Sequence, residues 1–285
     1  GIAAKLASGA TPAAVLGFDA VEHGARKGGS PKKSDDLVFN PLNPRAARDN
    51  FLQGAVDILQ ALRVASIALT AASSPTGAAI VFDPGALAFF GHSQGSTSGE
   101  IALAWSGAAP AAVLSGAGAH LTSSLLDKTM PVNISSGMEF LIGETLEAEH
   151  PVMTIFQSFF DRSDPLNYNP LIITRPPATI PSKHVYMSWG KGDTYTPRST
   201  LEANARSLGL SPVGTVLEPF DRDPIVRPVT ANLTGGDTIK RTAAVFQYPA
   251  DGYDGHFVAT KNASAQTDWV AFLQSYLATG TPAIP

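Results

Sequence analysis

A short apolar run that passes at once into Gly-x-Ser-x-Gly is the feature that most restricts how this chain can fold. The run covers residues 86–90 and follows the breaker Asp83-Pro84-Gly85, which predicts a buried strand. Residues 97–106 follow the motif, are rich in Ile, Leu, Ala and Trp, and contain no proline, which predicts a helix. The motif therefore lies where a strand turns directly into a helix.

The turn itself places Ser93 at its centre, in Gly91-His92-Ser93-Gln94-Gly95. A sharp strand-to-helix turn exposes the serine hydroxyl and holds the serine in a strained backbone conformation. We expect Gly91 and Gly95 to be needed because strand and helix pass close together there. In a chain with 26 glycines, an ordinary glycine-rich turn is the alternative, and the flanking strand and helix favour the reactive serine.

The remaining pattern alternates between strands and helices. The predicted strands cover residues 13–18, 86–90, 111–114, 183–189 and 243–248. The predicted helices cover residues 2–8, 44–62, 97–106, 199–208 and 264–277, and Ser264 is the predicted N-cap of the last one. Loops are predicted at 22–43 and 73–85, and residues 209–241 are predicted to be irregular or hairpin-like. This order predicts an α/β fold, with a mainly parallel sheet and helices on both faces. Functional groups then gather at the carboxyl ends of the strands.

Composition excludes several classes of function. The net charge of −4 and the isoelectric point near 5.8 argue against nucleic-acid binding. The chain has no cysteine, so disulfides, thiolate catalysis and cysteine metal sites are excluded. The sequence contains no uninterrupted run of about 18 apolar residues, so no membrane span is predicted.

A serine hydroxyl needs a base, and the base needs a partner that fixes its tautomer. Asp193 follows the predicted strand 183–189 by a few residues, and His256 lies between the last strand and the last helix. We therefore expect both side chains at the same edge of the sheet as Ser93. Asp161, Asp164 and Asp223 are the alternatives for the acid.

The other histidines have more ordinary interpretations. His92 lies inside the motif and is interpreted as a structural support of the turn, and His23 as a loop former. His120, His150 and His184 have no spacing typical of metal ligands. No metal ion and no organic cofactor is expected.

The chain resembles the esterases and lipases of the α/β-hydrolase fold in three motifs and in their order. The resemblance rests on the turn around Ser93, the Gly-x-Gly-Asp-x-x-x-Pro loop around Asp193 and the Gly-His-Phe turn around His256. It implies a core formed by residues 1–117 and 182–285, with residues 118–181 as a cap or lid.

The resemblance also implies a chemistry. Ser93, His256 and Asp193 would cleave a small-molecule or lipid carboxylic ester through an acyl-enzyme, with the Gln94 N–H as one oxyanion donor. Apolar cap residues would contact the substrate, namely Met138, Phe140, Phe156 and Phe159; the alternative is that they form only the cap's own core. Amide or peptide hydrolysis on the same triad, and a non-catalytic fragment, remain open alternatives.

The second oxyanion donor of this family comes from the loop after the third strand. If residues 13–18 correspond to the fourth strand, the first three strands and that loop would precede Gly1. We therefore expect an N-terminal segment of the same protein as a partner of this chain. The alternative is a trimmed fold in which another loop supplies the donor.

Overall fold

The computed structural model describes residues 1–40, 43–67, 71–73, 77 and 79–285. The helices are α1 Ile2–Ala7, α2 Ser34–Val38, α3 Pro44–Ile67, α4 Gln94–Leu103, α5 Leu121–Asp127, α6 Ile134–Ile142, α7 Pro151–Phe160, α8 Asn169–Ile172, α9 Arg198–Leu208, α10 Val258–Lys261 and α11 Ala263–Thr279. The strands are β1 Ala71–Ser73, β2 Ala79–Val81, β3 Ala88–His92, β4 Ala111–Ser115, β5 His184–Gly190, β6 Val229–Thr230, β7 Leu233–Thr234, β8 Lys240–Arg241, β9 Ala243–Tyr248 and β10 Ala283–Ile284. Short 3₁₀ turns cover Gly24–Lys27, Asp161–Ser163, Pro165–Asn167 and Gly255–Phe257.

The central sheet has four strands in the order β3-β4-β5-β9, and all neighbours are parallel. This confirms the predicted parallel sheet. His92, Ser115 and Ser188 lie opposite one another in register. The carboxyl ends of β3, β4 and β5 therefore meet at one edge, where the loops that follow them come together.

Helices cover both faces of this sheet. Along β4, Ala112 and Leu114 pack into one core cluster with α3, α4 and α9, whereas Ala111 and Val113 pack into a second cluster with α1, α10 and α11. Alternate residues of a strand point to opposite faces, so the two clusters lie on opposite sides of the sheet. Every residue of β4 and β5 is buried, as expected for parallel strands covered on both faces.

The predicted strand at residues 13–18 is wrong. These residues form no regular structure, and Val15, Leu16 and Phe18 are each about half exposed. A strand exists only if its backbone groups find a neighbour. In the part of the chain that the structure describes, residues 13–18 are paired with no strand.

A groove separates residues 13–18 from β3, and we call it the edge groove. It has a volume of about 410 Å³ and is lined by residues 13–18, by β3, by Ile58 and Leu62 of α3, and by Leu273 and Leu277 of α11. Within the described ranges, β3 is hydrogen-bonded only to β4, so its other edge faces this groove. The two helical layers thus extend beyond the last strand of the sheet.

Several element boundaries differ from those predicted. Helix α3 continues to Ile67, and α4 covers Gln94–Leu103 rather than 97–106, because the helix starts directly after Ser93. The N-cap of α11 is Asn262, which accepts a hydrogen bond from the Ala265 N–H, rather than Ser264. The predicted loop 22–43 contains α2, and the predicted loop 73–85 contains β2 and the last residue of its antiparallel partner β1. The parts of those loops at 41–42, 74–76 and 78 lie outside the described residues.

Residues 118–181 contain α5 to α8 and a small apolar cluster of their own, formed by Leu125, Leu146 and Met153. Their assignment to a cap remains a prediction. The segment 209–241 contains the antiparallel hairpin β7–β8, as the sequence indicated. None of the helices in the described ranges is long and apolar enough to cross a membrane.

Candidate active site

Ser93 occupies the turn between β3 and α4 in a conformation that L-amino acids rarely adopt. Its φ is 55° and its ψ is −122°, and a non-glycine residue at positive φ is strained. The Ser93 N–H donates to the Ser115 carbonyl over 2.8 Å, and the N–H groups of Ser96 and Thr97 donate to the Ser93 carbonyl. Bonds from both sides of the turn therefore hold the strained backbone in place.

The two motif glycines have different environments. A Cβ on Gly91 would lie 2.9 Å from the Ser96 Cα and 3.0 Å from the Gly95 carbonyl oxygen, so strand and helix do pass too close for a side chain. A Cβ on Gly95 would meet nothing within 4 Å. The expectation that both positions must be small is therefore wrong for Gly95, which lines the edge groove.

Asp193 and His256 are joined by a hydrogen bond. The His256 Nδ1 lies 3.0 Å from the Asp193 Oδ2, and the two side chains are 3% and 1% exposed. The other carboxylate oxygen, Oδ1, accepts from the N–H groups of Tyr195 and Thr196 at 2.9 and 2.6 Å. One carboxylate thus fixes both its own loop and the histidine ring.

A second aspartate fixes the loop that carries His256. Asp254 Oδ1 accepts from the His256 N–H at 2.9 Å, and Asp254 Oδ2 accepts from the Thr194 hydroxyl at 2.5 Å. These bonds tie the histidine loop to the loop of Asp193. Asp254 is not among the site residues predicted from the sequence, although its position two residues before the histidine is typical of an N-cap.

Other side chains surround the His256 ring. The Tyr195 ring stacks on it with centroids 4.8 Å apart and planes 16° apart, and the His92 ring lies 4.8 Å away at 47°. Phe257 meets it edge to face at 5.2 Å. A Cβ on Gly116 would lie 2.6 Å from the His256 Cε1, so only glycine leaves room for the imidazole at that position.

These contacts bring the Ser93 turn and the histidine together. His92 precedes Ser93 and contacts the His256 ring, and Ser115, which accepts the Ser93 N–H, precedes Gly116. In the described part of the chain no hydrogen bond joins Ser93 to His256. The turn that carries Ser93 and the loop that carries His256 therefore lie at the same edge of the sheet, and the joint role of the two side chains remains a prediction.

The interpretation of His92 as a structural support of the turn agrees with its contacts. Its Nδ1 lies 3.1 Å from the Ser115 Oγ. Burial, together with the positive charge that His256 can carry, lowers the pKa of His92 to about 4. His92 is therefore neutral at pH 7 and places no charge beside His256.

The core has the α/β-hydrolase arrangement. A parallel sheet flanked by helices carries a serine at a strand-to-helix turn, followed along the chain by an aspartate and a histidine after later strands. No protein-family model and no curated protein sequence matches the chain.

Several solved structures that are similar to the chain are esterases or peptidases. A puromycin-hydrolyzing peptidase from Mycobacterium tuberculosis shares 18% identity over 81% of this chain and 26% of its own, with a TM-score of 0.45. Acetyl xylan esterase 1 from a Thermoanaerobacterium species shares 14% identity over 80% of this chain and 56% of its own, with a TM-score of 0.45. The acylaminoacyl peptidase of Pyrococcus horikoshii shares 12% identity over 87% of this chain and 30% of its own, again with a TM-score of 0.45. The chain thus spans between 26% and 56% of their lengths.

The alternative acids lie elsewhere. Asp164 is buried and accepts from the N–H groups of His120 and Leu121, at the start of α5. Asp161 accepts from the Gln157 amide. Asp223 lines a polar surface depression with Arg206. Of the four aspartates considered, Asp193 is the one whose carboxylate contacts His256 Nδ1, at 3.0 Å, and the Thr196 hydroxyl lies 3.5 Å from the same atom.

The remaining histidines have local partners. His23 contacts the Val21 carbonyl, as expected for a loop former, and His150 pairs with Glu144. His120 contacts the Ser123 hydroxyl, and the His184 Nδ1 accepts from the Thr242 N–H at 2.8 Å. Within the described ranges, no group of three or more His, Asp or Glu side chains is arranged to hold a metal ion.

The four apolar residues assigned to substrate binding do not share one environment. Met138 and Phe156 pack against the small cluster of residues 118–181. Phe140 is 87% exposed, and the guanidinium of Arg48 lies 4.5 Å from the centre of the Phe159 ring. Packing within residues 118–181 accounts for Met138 and Phe156, and the substrate contacts of all four remain predictions.

Gln94, assigned as an oxyanion donor, is the first residue of α4 and lines the edge groove. The first N–H groups of a helix have no partner inside it, and the helix dipole favours negative charge there. An oxyanion that forms beside Ser93 would therefore meet the positive end of α4. The donor role of the Gln94 N–H remains a prediction.

Proposed function

We propose that the chain is a serine hydrolase that cleaves carboxylic esters. The observation that carries this proposal is the bonded Asp193–His256 pair beside the strained Ser93 turn. A buried carboxylate on the Nδ1 side of an imidazole directs the free electron pair of Nε2 outward. That arrangement suits an imidazole that accepts a proton from a neighbouring hydroxyl.

The mechanism follows from these roles. The Ser93 Oγ attacks the ester carbonyl while His256 Nε2 takes the hydroxyl proton, and Asp193 stabilises the imidazolium. The carbonyl electron pair moves onto oxygen, where the first N–H groups of α4 stabilise it. The C–O bond then breaks, and His256 returns the proton to the leaving alcohol.

The second half of the cycle repeats this chemistry with water. A water molecule gives one proton to His256 and attacks the acyl carbon, and the Ser93–acyl bond breaks as the proton returns to the Ser93 oxygen. The products are one alcohol and one carboxylic acid. Amide hydrolysis needs the same steps with a poorer leaving group, so it is the alternative activity of this site.

Covalent labelling tests the proposal directly. A fluorophosphonate probe should react with Ser93, with loss of fluoride, and Ser93→Ala should abolish both labelling and the hydrolysis of p-nitrophenyl esters. Ser98→Ala is a matched control, because Ser98 lies in α4 with its hydroxyl bonded to the Phe51 carbonyl. A panel of esters and anilides separates esterase from amidase activity. An unlabelled Ser93 in folded protein would support the non-catalytic alternative.

We also propose that a further β-strand, supplied by an N-terminal segment of the same protein, covers the edge of β3 that no described strand occupies. Unpaired strand edges are avoided in folded proteins, and apolar residues of α3 and α11 flank this edge on both sides. The open space at Gly95 is part of the same groove. The loop after such a strand would then supply the second oxyanion donor.

Two lengths of the protein test this partner. The 285-residue chain should react slowly with the fluorophosphonate probe, and a chain extended by the proposed N-terminal segment should react much faster. Equal labelling rates would show that this chain already contains both oxyanion donors.

A further inference from the structure

The Tyr195 side chain is the closest parallel neighbour of the His256 ring. The two centroids lie 4.8 Å apart and the planes differ by 16°, which is within the range of a stacked aromatic pair. Tyr195 also meets Phe257 edge to face at 5.5 Å. Because Phe257 follows His256 directly, one tyrosine ring contacts two successive residues of the histidine loop.

Tyr195 is connected to the acid as well as to the base. Its backbone N–H donates to the Asp193 Oδ1 at 2.9 Å, while the Asp193 Oδ2 holds His256 Nδ1. The side chain and the backbone of one residue therefore act on the two partners of the hydrogen bond. A side-chain substitution removes the stack and leaves the backbone bond in place.

We propose that Tyr195 is a positioning residue for the His256 base, an inference that rests on the proposed function for its catalytic readout. The ring prevents rotation of the imidazole away from Asp193 and keeps water from the Nδ1–Oδ2 bond. Its electron-rich face also attracts the imidazolium that forms when Ser93 is deprotonated. Both effects favour the transition state over the resting enzyme, so they act on kcat.

We assign the effect on His256 to the aromatic ring of Tyr195 and not to its hydroxyl. Tyr195→Phe retains the stack and should keep kcat within about twofold, whereas Tyr195→Leu should lower kcat about three- to tenfold with KM unchanged, the range for the loss of one aromatic pair. Tyr253→Leu is the control, because Tyr253 is a half-buried tyrosine of the histidine loop whose neighbour is Lys261. It should leave kcat unchanged.

A second readout does not depend on turnover. The proton on His256 Nδ1 should exchange with solvent several times faster in Tyr195→Leu than in the wild type or in Tyr195→Phe, as measured by NMR at matched thermal stability. Unchanged exchange and unchanged kcat in Tyr195→Leu would overturn the proposal. An equal loss in Tyr195→Phe would assign the effect to the hydroxyl and would also overturn it. If Ser93 is not labelled but exchange behaves as expected, only the proposed function fails.

Discussion

Asp193 binds His256 through a hydrogen bond that solvent hardly reaches, with the two side chains 1% and 3% exposed and the bonded atoms 3.0 Å apart. The carboxylate cannot leave without breaking its two bonds to the N–H groups of Tyr195 and Thr196. Its position is therefore set by the loop after β5 before any substrate binds. This preorganisation makes the role of the acid directly testable.

Asp193→Asn should lower kcat by about three orders of magnitude or more, because the amide can donate to Nδ1 and so favours the wrong imidazole tautomer. Shape and volume are kept, so thermal stability should change little. Ester turnover checks the prediction, with Asp223→Asn as the control, since Asp223 lies in a surface depression away from His256. A fully active Asp193→Asn would show that another residue is the acid.

Glu100 makes stability depend on pH. It is fully buried in α4, burial raises its pKa to about 8, and its Oε1 accepts from Asn204 at 2.7 Å. In the described residues, Oε2 has no partner, and neither has the Oδ1 of the nearby Asn169. A protonated Glu100 carries a hydrogen-bond donor, whereas a carboxylate can only accept.

The sign of this effect follows from the direction of the shift. Between the unfolded pKa of 4.5 and the folded value of about 8, only the unfolded state loses the proton, so the free energy of unfolding falls by up to about 1.4 kcal/mol per pH unit as the pH rises. Glu100→Gln should flatten this decline and make the variant more stable than the wild type at pH 8.5. Urea unfolding at pH 5, 7 and 8.5 measures it, with the surface substitution Glu202→Gln as the control. Parallel pH curves for wild type and Glu100→Gln would contradict the prediction.

The two motif glycines should respond differently to alanine. Gly91→Ala places a methyl group 2.9 Å from the Ser96 Cα and should cost about 1–3 kcal/mol of stability. Gly95→Ala enters open space in a helix and should be neutral or stabilising by up to about 1 kcal/mol. Denaturant unfolding of both variants provides the test, each serving as the other's control. A large loss in Gly95→Ala would show that the edge groove is filled in solution.

Phe140 tests the predicted substrate role of residues 118–181. It lies on α6 and is 87% exposed, so Phe140→Ala should not change the melting temperature. If the side chain contacts an acyl chain, KM for long-chain esters should rise by about threefold or more, and KM for acetate esters should not. Val226→Ala, at a similarly exposed position outside this segment, should change neither. Equal KM values for every ester would remove Phe140 from the substrate site.

The sequence was informative where a local pattern decides the structure. The apolar runs that became β3, β4, β5 and β9 are bounded by breakers, and positions just after parallel strands share one sheet edge, which is why Asp193 and His256 could be placed together. The stacking of Tyr195 on the imidazole could not be predicted, because it depends on how two loops fold against each other. Residues 13–18 look like a strand, yet a strand also needs a hydrogen-bonding neighbour, and no local pattern reveals whether one exists.

The edge of β3 that no described strand covers also affects how copies of this chain contact one another. Its residues are Ala88-Phe89-Phe90-Gly91-His92, and they include no lysine, no acidic side chain and no proline, the residues with which proteins protect an exposed edge. The backbone beside Ser93 is thus a template on which another chain can extend the sheet. We therefore expect association of the chain through this edge to increase with its concentration.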